Sequence, residues 1–310
     1  MFNDNMLFDA QAALGFVTSQ TTHIESAVNE TVYPDVQYSQ LTPVDTSAHP
    51  FTQTVTFYSS DKVGKANWIN GNGDDIPLAN SELTQHKSSV YTAGIGYGFG
   101  WEEVGIAMKL GHNLQGDDAA AARRAYEEMV DMVALRGDAR KGFSGLIDYP
   151  GITAGAVPTG NWAAATDEDL ILADVNAVLL GIPTDTLFTS VADTLLMSPG
   201  RMNLLATRRL GDTTMTVLDF LRKNNTYTAM TGQALTIRGV RGLETAGAGV
   251  TQRMVAYRRS PDVLKLHIPM PHRFLPVFQN GPLSWVVPGV FRLGGLDIRR
   301  PKEVRYGDGI

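Results

Sequence analysis

Residues 51–90 place the tightest limit on what this chain folds into. Thr54–Tyr58 is β-prone, the Asn70-Gly-Asn-Gly-Asp-Asp75 cluster is turn chemistry, and strand-like residues resume near Val90, so the stretch reads as one long hairpin. It is too poor in apolar residues to bury a face of its own, and two strands alone are marginal in water. Such a ribbon either moves freely or lies on another surface. The fifty residues before it are no more self-sufficient: Pro34, Pro43 and Pro50 break up a stretch rich in Thr, Ser and Gln, and only Leu7–Phe16 has helical spacing.

The remainder has the makings of a core. The chain has 310 residues, 43% of them hydrophobic and 19% charged, which suits one large or two modest domains and excludes wholesale disorder. It has no cysteine, so disulfides, thiolate catalysis and Cys-ligated zinc are excluded. The most apolar window, Leu170–Ile182, is interrupted by Asp174 and Asn176, so no membrane span is expected. Acids stand near the N-terminus where a signal peptide carries basic residues, so no export signal is expected.

Charge is distributed unevenly. Lys and Arg against Asp and Glu number 3 and 10 over residues 1–100, 6 and 15 over 101–200, and 17 and 7 over 201–310. The first 200 residues therefore carry −16 and the last 110 carry +10. A basic C-terminal third invites a nucleic-acid reading. The basic residues alternate with apolar ones as on solvated strands, however, which favours acidic and basic faces meeting within the chain or between copies of it.

Several elements follow from spacing. From Tyr91 to Trp101 the period is two: aromatic and aliphatic side chains share one face as a packing ridge, and Gly94, Gly96, Gly98 and Gly100 share the other, where a neighbouring backbone approaches closely. The glycines fit no phosphate-loop pattern. Glu102–Leu110 has helical character. A long helix over 117–136 follows, with Asp117 or Asp118 as cap, Ala122, Tyr126, Val130 and Val133 on one face, and Gly137 as stop. After a Gly/Ala/Pro-rich crossing at 137–165, Thr166-Asp-Glu-Asp169 starts a helix over 167–180, Thr194–Met197 is a strand, Ser198-Pro199 opens another helix, and Thr214–Lys223 is helical. Met254–Arg258, Val263–Ile268, Ser284–Val287 and Val290–Ile298 are strand-like. This mixture predicts an α+β fold.

A search for chemistry finds little. None of His23, His49, His86, His112, His267 and His272 makes a metal-binding pair. Gly142-Phe-Ser144-Gly145 lacks the second spacer of a nucleophile elbow. Asn70-x-Asn72-x-Asp74 begins like a calcium loop but has Asp75 at the glycine position and Ser81 where the bidentate Glu belongs. Glu102–Glu103, Asp117–Asp118 and Glu127–Glu128 lie on expected helices, where they are solvated faces. The pairs Arg208-Arg209, Arg258-Arg259 and Arg299-Arg300 have no interleaved aromatics and are expected to meet carboxylates rather than phosphates. No catalytic, cofactor-binding or metal-binding residue is assigned, and no cofactor and no enzymatic activity are expected.

Three stretches carry a resemblance: Gly111–Gly137 (GHNLQGDDAAAARRAYEEMVDMVALRG) with the following GFSGLIDYPGI, Thr226–Arg238 (TYTAMTGQALTIR), and Pro288–Ile310 (PGVFRLGGLDIRRPKEVRYGDGI). With them the chain resembles the major capsid proteins of tailed bacteriophages, the Hong Kong 97-like (Johnson) fold, in the branch with a short arm. The resemblance implies an N-terminal arm over 1–50, an E-loop over 51–90, a P-domain over 91–150 with spine helix 117–136, an A-domain over 151–280 with its return boundary between 250 and 285, and P-domain strands over 281–310. It implies self-assembly into pentamers and hexamers of an icosahedral shell around double-stranded DNA, located in the virion capsid and, during assembly, the host cytoplasm. A separate scaffolding protein or none, a portal and decoration proteins would be partners, DNA contact would be non-specific, and no membrane is involved. Some relatives join subunits by a Lys–Asn isopeptide bond; Lys62 and Lys65 are conceivable donors, but no partner Asn matches, and ordinary solvated lysines are the better reading. The alternatives are an encapsulin-type nanocompartment shell, a tail or decoration protein, and, in a different class, a soluble α/β hydrolase or nucleotide-binding enzyme.

Overall fold

The computed structural model describes residues 35–66, 78–104, 114–162 and 167–310. The chain divides into two units, 1–35 and 36–310. The expected arm lies outside the described residues as far as residue 34, as do the expected hairpin turn at 70–75, residues 105–110 of the expected helix after Trp101, His23 and His112.

The second unit begins with a strap. A single turn, α1 (Tyr38–Leu41), leads into β1 (Val44–Asp45). The turn is too short to hold itself, and its N-terminus is capped from outside: Asp131 Oδ1 accepts the backbone N–H groups of Gln37 (2.9 Å) and Tyr38 (2.8 Å). The hairpin follows as β2 (Thr54–Val63) and β3 (Asn80–Ser89), paired over ten residues without a register shift. At about 3.4 Å per residue this ribbon is ~34 Å long. The second strand starts at Asn80, earlier than composition suggested. Its sequence, NSELTQHKSS, has poor strand propensity and forms a strand because β2 supplies a continuous ladder of partners.

The period-two run of 91–101 is two strands, not one: β4 (Tyr91–Gly94) and β5 (Tyr97–Gly100). The glycine face works by close approach. A Cβ on Gly94 would lie 2.7 Å from Gly289 O, and one on Gly96 would lie 2.8 Å from Pro288 Cα and collide with Val287 O. Residues 101–104 are helical.

The spine helix α2 (Leu114–Arg136) runs 23 residues, ~35 Å at 1.5 Å per residue. It starts three residues before Asp117, which sits in the first turn and complements the dipole. Ala122, Tyr126, Val130, Val133 and Ala134 are buried at helical spacing. The helix stops where Gly137 takes φ +77°; a Cβ there would stand 2.8 Å from Gly145 N and collide with Phe143 O. The short pair β6 (Gly137–Asp138) and β7 (Phe143–Ser144) turns the chain.

A five-stranded sheet follows from distant segments: β8 (Thr153–Ala156), β9 (Thr194–Met197), β10 (Thr236–Gly239), β11 (Arg253–Tyr257) and β18 (Val304–Asp308), in the order β10-β9-β11-β18-β8. The C-terminal strand therefore lies between β11 and β8 rather than with the strands that precede it. The three central strands β9, β11 and β18 are buried on both faces, while the edge strand β8 is exposed. Leu196, Val255, Tyr257, Val304 and Tyr306 join a core with α2; Leu195, Met197, Ile237, Met254 and Ala256 join a second core with the remaining helices.

Those helices are α3 (Glu168–Asp185), α4 (Pro199–Thr207), α5 (Val217–Lys223) and α6 (Thr226–Thr231). The α3 cap is Asp167, whose side chain accepts from Asp169 N, and the helix extends past the expected end through Pro183 because buried Ile182 and an Asp185–Arg305 ion pair (2.8 Å) hold its last turn. Ser198 and Thr216 cap α4 and α5.

The other strands are β12 (Leu264–His267), β13 (Met270–Phe274), β14 (Phe278–Gly281), β15 (Ser284–Val287), β16 (Gly289–Leu293) and β17 (Gly295–Ile298). The apolar run 290–298 is thus broken at Gly294. Sheets β1-β12-β17, β13-β16-β4 and β14-β15-β5 result. The last two share their chain order and form one ribbon of three strands interrupted at 95–96, 275–277 and 288.

Candidate assembly surfaces

The strap is fastened along its whole length. Tyr38 Oη donates to Glu127 (2.7 Å), and burial first, then that bond, pushes the phenol well above its ordinary range. Tyr257 Oη donates to Leu41 O (2.8 Å), Leu266 N to Pro43 O and Ile268 N to Asp45 O (both 2.9 Å). Asp45 stands 3.6 Å from Lys265 Nζ and 3.6 Å from Nδ1 of the buried His267, whose Nε2 is 3.7 Å from Asp297. The point from which the hairpin departs is therefore set by the body of the protein.

Among the described residues, the hairpin meets that body at its base. Ser88 Oγ donates to Gly294 O (2.7 Å), the Arg299 guanidinium lies over the Phe57 ring, and Phe57 stacks on His86. Beyond this, β3 is exposed almost throughout, and Tyr58, Leu78 and Leu83 present apolar surface to solvent. A groove of about 560 Å³ runs between hairpin and body, lined by Phe57, His86, Lys141, Tyr149, Asp297 and Arg299.

Arginine–carboxylate pairs form within one chain, and those of Arg258, Arg299 and Arg300 lie inside the basic last third rather than between it and the acidic part. Arg208 meets Glu168 (2.7 Å), Arg258 and Arg300 both meet the buried Glu303 (3.5 and 3.1 Å), and Arg299 meets Asp297 (3.4 Å). Arg253 holds Asp308, also in the last third, by two bonds (2.6 and 3.0 Å). Buried acids that sequence did not single out are structural. Asp174, which interrupts the most apolar window, is fully buried and accepts from Trp162 Nε1 (2.9 Å) and Thr159 Oγ1 (2.9 Å). Their signal was an acid within an apolar helix, which has to be paired.

Other motifs resolve into structure. Ser144 is part of the two-residue strand β7. His272 stacks on Tyr126 and its Nε2 lies 3.1 Å from Ile95 O. Among the described residues no group of three or more His, Asp or Glu side chains could hold a metal ion, and no helix is long and apolar enough to cross a membrane. The packing ridge expected over Tyr91–Trp101 is only half-buried, and Trp101 at its end is 62% exposed.

What these surfaces share is a wealth of uncovered ribbon. A sequence profile of the family described as Major capsid protein matches residues 64–310. The chain belongs to the major capsid protein family. Among curated proteins no sequence matches it. The fold agrees with the family: the capsid of Myoviridae Phage XM1 superimposes with a TM-score of 0.80 at 19% identity, covering 94% of this chain and 98% of that one. The capsid of an empty GTA particle gives 0.65 at 8% identity over 93% and 94%, and a Mycobacterium phage Adephagia structure 0.65 at 12% over 95% and 96%. This capsid protein is thus a structural shell protein with the tailed-phage capsid fold, not an enzyme, and its mixed helices and strands are those of that fold.

Proposed function

We propose that many copies of this chain, as pentamers and hexamers, close into the icosahedral shell that holds the double-stranded DNA of a tailed bacteriophage. The observation that carries the reading is the hairpin: ten residue pairs of ladder with almost no buried side chain on β3. Surface of that extent is useful to a monomer only if another molecule covers it. On this reading residues 1–50 are an N-terminal arm, 51–90 an E-loop draped on a neighbour, and 91–150 a P-domain with its spine. Residues from 151 form an A-domain around the fivefold and sixfold centres, and the chain returns to the P-domain between 250 and 285, with β18 crossing back into the five-stranded sheet. Many modest contacts repeated by symmetry hold such a shell. DNA contact is sequence-blind and weak, since the subunit carries a net charge of −6. A scaffolding protein, portal and decoration proteins would be its partners, and assembly would take place in the host cytoplasm.

Electron microscopy of the purified full-length chain tests this. Uniform, closed hollow particles are expected. A monodisperse monomer at every concentration and ionic strength tried overturns the proposal.

A further inference from the structure

The three-stranded ribbon exposes apolar side chains at two separate places. At its end, Trp101 N donates to Leu283 O (2.9 Å), which brings two side chains, each more than half exposed, side by side. Along the β13–β14 edge, Leu275, Val277 and Phe278 are also exposed. An aromatic ring offers 150–250 Å² of surface, so this is more apolar area than scattered surface residues leave in water.

The two places carry opposite charges. Glu102 follows Trp101 at the end of the ribbon, and Arg273 stands on the β13 edge; both are exposed, and neither has an ion-pair partner among the described residues. The end is stiff, since Phe99 and Trp285 stack beneath it at 6.0 Å and Tyr97 packs edge-on against Phe274 at 5.4 Å. The edge is blunted against strand addition, because Pro271 and Pro276 lack the N–H a new strand would need.

We infer that the ribbon end of one copy docks on the β13–β14 edge of the next. Trp101 and Leu283 lie on Leu275 and Val277, and Glu102 meets Arg273. The contact joins two different patches, so it is head-to-tail, the kind of contact from which rings are built. Apolar anchors give it strength and the rim charges its register. The inference rests on the reading that the chain assembles with its own copies.

The absence of cysteine makes the test clean. The full-length chain carrying Val277→Cys and Leu283→Cys is oxidised and run on a denaturing gel, while the same samples are examined by electron microscopy. A covalent ladder is expected from the double variant and from neither single variant. Particles without a ladder overturn the docking and leave the shell standing; a ladder without particles does the reverse; neither product overturns both. As a second measurement, Glu102→Arg and Arg273→Glu should each lower particle yield at least tenfold with an unchanged melting temperature. The two changes combined should restore it to within about twofold. Single variants that assemble like the parent, or a combined variant that stays defective while folded, overturn the pairing.

Discussion

Arg253, the first residue of β11, reaches two other parts of the chain, β18 and the segment after the spine helix. It holds Asp308 by two bonds near the C-terminus, donates to Ile147 O (2.8 Å) beyond the spine helix, and lies over the Tyr306 ring at 4.4 Å. Burial works against its charge, but Asp308 outweighs it and holds the guanidinium above its ordinary range. Arg253→Met should destabilise the chain by ~3–5 kcal/mol, because Asp308 is left buried and unpaired. Adding Asp308→Leu should recover most of that loss, and denaturant unfolding of the two variants checks both. From sequence, the arginines of the last third were legible as seekers of carboxylates. Which carboxylates they find was not, since Arg208 and Glu168 are 40 residues apart and Arg253 and Asp308 are 55.

The strap shows the same division one level up. Its α1 and β1 are too short to register as elements in a sequence, and they exist because Asp131 caps one and β12 pairs with the other. Asp45 makes that attachment sensitive to acid. Burial pushes its carboxyl up, but hydrogen bonds from the Ser47 hydroxyl and backbone N–H, with Lys265 and His267 nearby, outweigh this and hold it below the usual range. A depressed carboxyl stabilises the fold above its unfolded pKa of about 3.9 and loses that contribution as pH falls through the folded value. Protection of the Ile268 amide from hydrogen exchange, corrected for the intrinsic rate, should therefore fall below pH ~4, and Asp45→Asn should remove that dependence. The spine helix and its Gly137 stop were legible because the 3.6-residue period and the positive-φ position are local. The break of 91–101 into β4 and β5 was not, because it answers to β15 and β16 nearly 200 residues away.

At the level of the molecule, the hairpin and the body carry separate duties. The body has two hydrophobic cores on either side of the five-stranded sheet, and among the described residues the hairpin strands contribute a buried hydrophobic residue to neither. Replacing residues 58–85 with a short Gly-Ser turn should therefore leave the unfolding temperature within ~3 °C of the parent and abolish closed particles. Calorimetry and electron microscopy on the same preparation test this. A large drop in unfolding temperature would show instead that the ribbon is part of the fold.

By itself the sequence determined which stretches could make a core and which could not. Hydrophobic period, capping residues and turn chemistry act over a few residues and are written in order along the chain, so the spine helix, the hairpin and the mixed α+β character were readable. Only the tertiary structure decided that the C-terminal strand sits between β11 and β8, that Arg208, Arg258, Arg299 and Arg300 meet carboxylates of the same chain, and that Trp101 ends in solvent rather than in a ridge. Those outcomes depend on which distant segments meet, and burial is a property of the meeting rather than of either segment.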